Sequence, residues 1–224
     1  MQKTHNKFLR LAALAGTIAP ILFVGIFTIE GLLRPGYTAM DMYVSALSLG
    51  PRGLIQIANF LIFGTLFLFF ARAVSYEFKK RNVTQAGPTL ITIFAACLFI
   101  SGPFVMDPVN APRSQTTLHG AIHAILGGIA FFLMPISCFV FLRQFYQDPA
   151  WNSFAPWTLL MSILLSATLT LFIFAAALPI GQSMFHDWVG LIQRMVLIPY
   201  MLWLFTFALA FYKRLYWKTS GNFR

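Results

Sequence analysis

Polarity changes along this chain in long blocks. Six apolar runs, Leu11 to Ile29, Leu54 to Phe70, Thr89 to Met106, Leu118 to Leu142, Pro156 to Ile180 and Met195 to Tyr212, alternate with short stretches where most of the charged residues gather. Each run is near or above the roughly 17–25 residues that a helix needs to cross a bilayer. None alternates with the period of two that marks a barrel strand. In lipid every backbone N–H and C=O must be bonded within its own segment, so each run is read as a helix. The pattern predicts helices over about 8–33, 53–76, 88–106, 117–142, 155–180 and 188–213. With no internal repeat, low-complexity run or long linker, they form a single all-α, polytopic transmembrane domain over 1–224.

Composition agrees. Of 224 residues, 58% are hydrophobic and only 10% charged, more apolar matter than one soluble core of this size uses. The first run follows Lys3, Lys7 and Arg10 as a signal peptide's would, but it is long and has no clear small-x-small cleavage site, so it is read as a retained helix. Cys97 and Cys138 lie inside apolar runs and are expected to pack as small hydrophobes. A net charge of +10 raises nucleic acid as a partner, yet the Lys and Arg residues sit at helix ends and form no stripe, so no nucleic acid is expected.

That placement predicts topology. Twelve of the sixteen basic residues (Lys3, Lys7, Arg10, Arg72, Lys79, Lys80, Arg81, Arg143, Lys213, Arg214, Lys218 and Arg224) fall on the side of the termini, and Arg34, Arg52, Arg113 and Arg194 on the other. By the positive-inside rule both termini are cytoplasmic. The outer ends then collect Glu30, Asp41, Asp107 and Asp187 with His119, His123 and His186, so any chemistry is expected to face outward. Trp151, Trp157, Trp188, Tyr212, Tyr216 and Trp217 are placed as interfacial anchors.

Three segments carry a resemblance: RPGYTAMDMYVSALSLGPRGLIQIANFLIFG (34–64), GPTLITIFAACLFISGPFVMDP (87–108) and LHGAIHAILGGIAFF (118–132). The motif positions are the Ser45 to Gly50 segment, Gln56 with Asn59, Asp107-Pro108, and His119-Gly120-x-x-His123. They resemble the bacterial membrane family of domain of unknown function 998. That resemblance implies six helices in a bacterial plasma membrane and no established activity. The family pattern sets an acid after the first loop serine, where this chain has Ala46.

The i, i+4 spacing puts His119 and His123 on one face of the fourth helix, His123 about 6 Å deeper. Beside them run Gly120, Ala124 and Gly128, a small-x-x-x-small row suited to a close helix approach, so the histidines are expected to face the interior. Intramembrane polar groups need partners. Gln56, Asn59, Ser101, Asp107, Gln193 and Arg194 stand at similar depth, and Ser162, Ser166 and Thr170 form a weaker row.

Four readings stay open. Asp107, His119, His123 and His186 are metal-ligand candidates, suited to zinc, whose bound water could attack a lipid. The inventory of one Asp and several His resembles that of the alkaline-ceramidase and adiponectin-receptor superfamily, although Gly120 stands where a zincin helix has its Glu. Alternatively Asp107, His119 and His123 are catalytic candidates exchanging protons without metal, while Arg194, Gln193, Asn59 and Ser45 bind a lipid headgroup or small ligand. A haem clamp has only the shallow His186 to offer as second ligand, so haem is not expected. The fourth reading is a buried polar network that fixes helix register in a scaffolding protein. Membrane lipids are the expected partners. The pocket is expected at the outer ends of the second, third, fourth and sixth helices, under the 34–53 loop.

Overall fold

The computed structural model describes residues 2–108 and 112–219, with the side chains of Gln2, Lys3, Thr4, His5, Asn6, Arg113, Tyr216, Trp217, Lys218 and Thr219 outside that description, as is Arg224 altogether. Seven α-helices occur among the described residues: α1 (Gln2–Leu33), α2 (Gly53–Lys80), α3 (Ala86–Ser101), α4 (Leu118–Gln147), α5 (Ala155–Ala177), α6 (Pro179–Phe185) and α7 (Val189–Thr219). Short 3-10 turns link some of them, and no strand is present among these residues. Five stretches, Lys7–Leu33, Gly53–Lys80, Leu118–Gln147, Asn152–Ala177 and Pro179–Leu215, are long and apolar enough to cross a membrane. The apolar α3 is shorter, at 16 residues. The chain is therefore a helical membrane bundle.

Several boundaries differ from the sequence reading: α1 starts earlier, α2, α4 and α7 run on past residues 76, 142 and 213, and α3 and α5 stop short. Helix α3 stops at Ser101 and not near Met106: Gly102 still has helical dihedrals, but Pro103 after it has no N–H with which to continue the ladder. Before the last long helix the chain forms the extra short α6, opened by Pro179, whose fixed φ suits a first helical turn. Pro135 and Pro199 lie inside helices, whereas Pro103 lies beyond the end of α3.

Each long helix packs on the next in sequence, and α7 closes the ring by packing on both α5 and α1. The start of α1, the end of α7, the α2–α3 turn and the α4–α5 turn share one end, hereafter the terminal end; there Arg81 of α2 pairs with Asp148 at 2.6 Å. The long 34–52 connection, the α3–α4 loop and the α5–α7 connection share the other, the loop end.

Polarity is inverted relative to a soluble bundle. Leu11, Ile21, Leu32, Leu54, Ile125, Phe132, Leu160 and Ile163 are exposed, whereas Gln56, Asn59, Ser137, Gln144, Thr158 and Ser162 are buried. Because lipid tails are as apolar as leucine, burial of apolar surface does not itself drive these helices together; close packing and dispersion do. The centre is accordingly filled with interlocked rings. Phe63 and Phe67 stack at 5.3 Å, Phe94 meets Tyr200 edge-on at 4.8 Å, and Phe207 contacts Phe141 at 4.9 Å. Trp151, expected at the interface, is instead 3% exposed and stacked on Phe145. At Gly64 a Cβ would come within 2.5 Å of the Phe99 Cβ and 2.8 Å of its Cα, so glycine is what lets α2 and α3 touch.

Candidate functional site

The motif residues build the α3–α4 junction. Thr117 is the N-cap of α4: its hydroxyl oxygen accepts from the Gly120 N–H at 3.0 Å, satisfying one of the orphan donors of a helix start. Asp107, arriving from the end of α3, closes over this cap. Its carboxylate accepts from the Thr117 hydroxyl at 2.7 Å and from the Thr117 N–H at 3.0 Å, a favourable place for negative charge beside a helix N-terminus. A Cβ on residue 120 would lie 2.0 Å from Asp107 Oδ2, so only glycine admits the carboxylate there.

One turn deeper, the buried His123 donates from Nδ1 to the carbonyl of Phe104 at 2.7 Å and also reaches the backbone of Ser101. These carbonyls lie where α3 has just ended, so the imidazole serves residues that have left the helical ladder. His119 does not face inward as expected. It is exposed, with its ring 5.2 Å from that of Phe104.

The loop end is held by charged groups turned inward. Glu30 is 3% exposed and takes Arg52 at 2.6 Å and Arg34 at 3.0 Å, tying both ends of the 34–52 connection to α1. Arg194 of α7 donates to the carbonyls of Ala39, Met42 and Gly190 at 2.8–3.0 Å and to the Tyr37 hydroxyl. Burial pushes the Tyr37 phenol above its ordinary range, against the pull of Arg194. Gln193 accepts from the Val44 N–H at 2.8 Å, and Leu191 N–H donates to the Met40 carbonyl at 2.8 Å. The connection is thus fastened to the first turns of α7, and Arg194 is committed to it.

Under this fastened loop lies a cavity of about 600 Å³ between α4 and α5. Tyr43, Ser45, Asp107, Thr116, His123 and Gln193 line its polar part. Gly127, Gly128, Phe131 and Phe132 of α4 face Leu169, Phe172 and Ala176 of α5 along the rest. From Gly120 to Phe132 the α4 wall rises about 18 Å. A smaller lobe of about 50 Å³ continues behind Ser45, His123 and Gln193 into the bundle.

The small residues of α4 therefore act differently from the sequence expectation. A Cβ on Gly127 or Gly128 would meet nothing within 4 Å, so these glycines open a crevice and do not seat a neighbouring helix. Helix α5 received no part in the sequence reading of the pocket, yet it supplies one wall. Its small Ala176 and Ala177, which line the cavity together with Gly127 and Gly128, were the available signal. Ser162, Ser166 and Thr170 each bond back to a carbonyl four residues earlier and form no polar path.

Of the predicted site residues, the fold brings Ser45, Asp107, His123 and Gln193 onto one cavity. Asn59 is buried elsewhere, donating to the Phe23 carbonyl at 3.0 Å and to Gln56 at 3.2 Å. His186 is exposed on the α6–α7 connection beside Asp187, at 3.0 Å. Among the described residues no group of three or more His, Cys, Asp and Glu gathers where one metal ion could be held.

An all-helical bundle with apolar outer faces, buried polar side chains and a side crevice defines a multi-pass membrane protein. Within that class the chain belongs to the family described as protein of unknown function (DUF998), whose model matches residues 17–210. No curated protein and no solved structure matches it.

Proposed function

We propose that this protein is a six-span protein of the bacterial plasma membrane, both termini cytoplasmic, that binds an amphipathic lipid from the outer leaflet in the α4–α5 crevice. One observation carries the reading: the crevice has hydrogen-bonding residues at its loop end and an apolar shaft below them. At about 600 Å³ it falls within the usual range for small-molecule sites. The headgroup lies against Ser45, Asp107 and Gln193, and the chain lies along Phe131, Phe132 and Phe172. Among the described residues no Lys or Arg lines this cavity, and Asp107 contributes a negative charge, so a headgroup presenting hydroxyls or an amine suits it better than a bare phosphate.

The test is lipid analysis of protein purified in mild detergent. Gly128→Phe projects a ring into open space and should remove the co-purifying lipid while the protein stays monodisperse. Ser45→Val should weaken retention without filling the shaft. Equal lipid content in wild type and Gly128→Phe would sink the proposal. Metal analysis of the same samples tests Asp107, His119, His123 and His186 as a ligand set. Stoichiometric metal lost in His119→Ala and His123→Ala would favour the metal-dependent hydrolase instead.

A further inference from the structure

A second cavity, of about 530 Å³, opens at the terminal end, far from the crevice just described. Its walls come from three elements: Glu77, Phe78 and Arg81 at the end of α2, Trp151 of the α4–α5 turn, and Phe211 to Leu215 of α7. Two of its cations are held in place. The Arg214 guanidinium lies 4.2 Å from the centroid of the Trp151 ring, and Trp151 is itself packed on Phe145 at 5.1 Å. Arg81 is bonded to Asp148 at 2.6 Å. Lys213 is exposed on the rim and has no hydrogen-bond or ion-pair partner among the described residues. Among the described residues three cations therefore meet two carboxylates, the lining Glu77 and the Asp148 bonded to Arg81, which leaves one cation in excess, while Phe78, Trp151, Phe211 and Leu215 supply apolar surface.

From this juxtaposition we propose that the terminal-end cavity binds the phosphate headgroup of an anionic phospholipid in the adjoining leaflet. Arg214 and Arg81 hold their planar donors toward the phosphate oxygens. Lys213 closes over the headgroup as a flexible point charge. The apolar walls take the first methylenes of the acyl chains, which a soluble phosphorylated molecule would leave uncovered. The arrangement is that of a basic pocket between helices at a membrane surface. The site is independent of the α4–α5 crevice and shares no residue with it.

The test uses the full-length protein in detergent, followed by native mass spectrometry and thermal melting. Phosphatidylglycerol should bind and raise the melting temperature, and phosphatidylcholine should not. Removal of one cation, as in Lys213→Gln or Arg214→Gln, should weaken phosphatidylglycerol binding roughly five-fold, and the double variant about twenty-five-fold. Arg214→Lys should restore part of the loss, which guards against a folding artefact, and Gly128→Phe should leave this binding unchanged. Equal affinity for phosphatidylcholine, or undiminished binding in the double variant, would overturn the proposal. Equal stabilisation by glycerol phosphate or inorganic phosphate alone would also overturn it, by making the ligand a soluble phosphate.

Discussion

Gly120 shows how much one missing methyl group can matter. The space of its Cβ is taken by the Asp107 carboxylate, which in turn receives both donors of Thr117. Gly120→Ala must push the carboxylate out or bend the first turn of α4, and overpacking of this kind costs about 1–3 kcal/mol. Thr117→Ala removes the cap, at about 1 kcal/mol. Combined with Asp107→Asn, the Thr117 change should be clearly non-additive, because both side chains belong to one network. Denaturant unfolding in mixed micelles measures all three, and a Gly120→Ala variant as stable as wild type would refute the clip. The spacing His-Gly-x-x-His pointed to this region but not to the use of its parts. Helical periodicity puts residues 119 and 123 on one side of α4, yet only tertiary contact makes one exposed and the other a partner for the end of α3.

Among the elements, the 34–52 connection is the one whose order depends on buried charge. Glu30 bonds arginines from both of its ends, and Arg194 holds its middle by the Ala39 and Met42 carbonyls and the Tyr37 hydroxyl. Removing one partner of such a network leaves the others uncompensated. Glu30→Gln should therefore speed hydrogen exchange and protease cleavage across residues 35–51, with little change in the helical content. Unchanged protection would show that the α7 contacts alone suffice. In sequence, Arg34, Arg52 and Arg194 read as outer-side charges and Arg194 as a ligand donor. Which carboxylate or carbonyl each one meets depends on a closure between the 34–52 connection and α7, 157 residues apart at Tyr37 and Arg194. The end of α3 and the interruption at α6 were partly legible, since Pro103 and Pro179 mark both places, but a proline marks a boundary without fixing its side.

At the scale of the whole molecule, the ring of helices brings the start of α1 and the end of α7 to one end and the long connection to the other. The proposed topology, both termini cytoplasmic, predicts that a cysteine replacing the exposed Met40 should react with a membrane-impermeant maleimide in intact cells, whereas one replacing the exposed Lys80 should react only after lysis. Native Cys97 and Cys138 are buried and should give no background. Labelling of position 80 in intact cells would invert the topology. Two cavities at opposite ends also separate two lipid proposals, so a variant in one should leave ligand binding at the other unchanged.

The amino-acid sequence by itself determined the helical membrane class, the family, and the region where polar groups collect. Each of these follows from a local cost, that of placing an apolar residue in water or an unbonded peptide group in lipid, and a local cost is readable from a run of residues. The tertiary structure alone decided which polar groups are spent on holding the fold, which face a cavity, and that α5 forms its wall. Those outcomes depend on pairs of side chains brought together from distant positions, where a glycine beside a carboxylate or a pair of facing glycines and alanines settles whether there is contact or space.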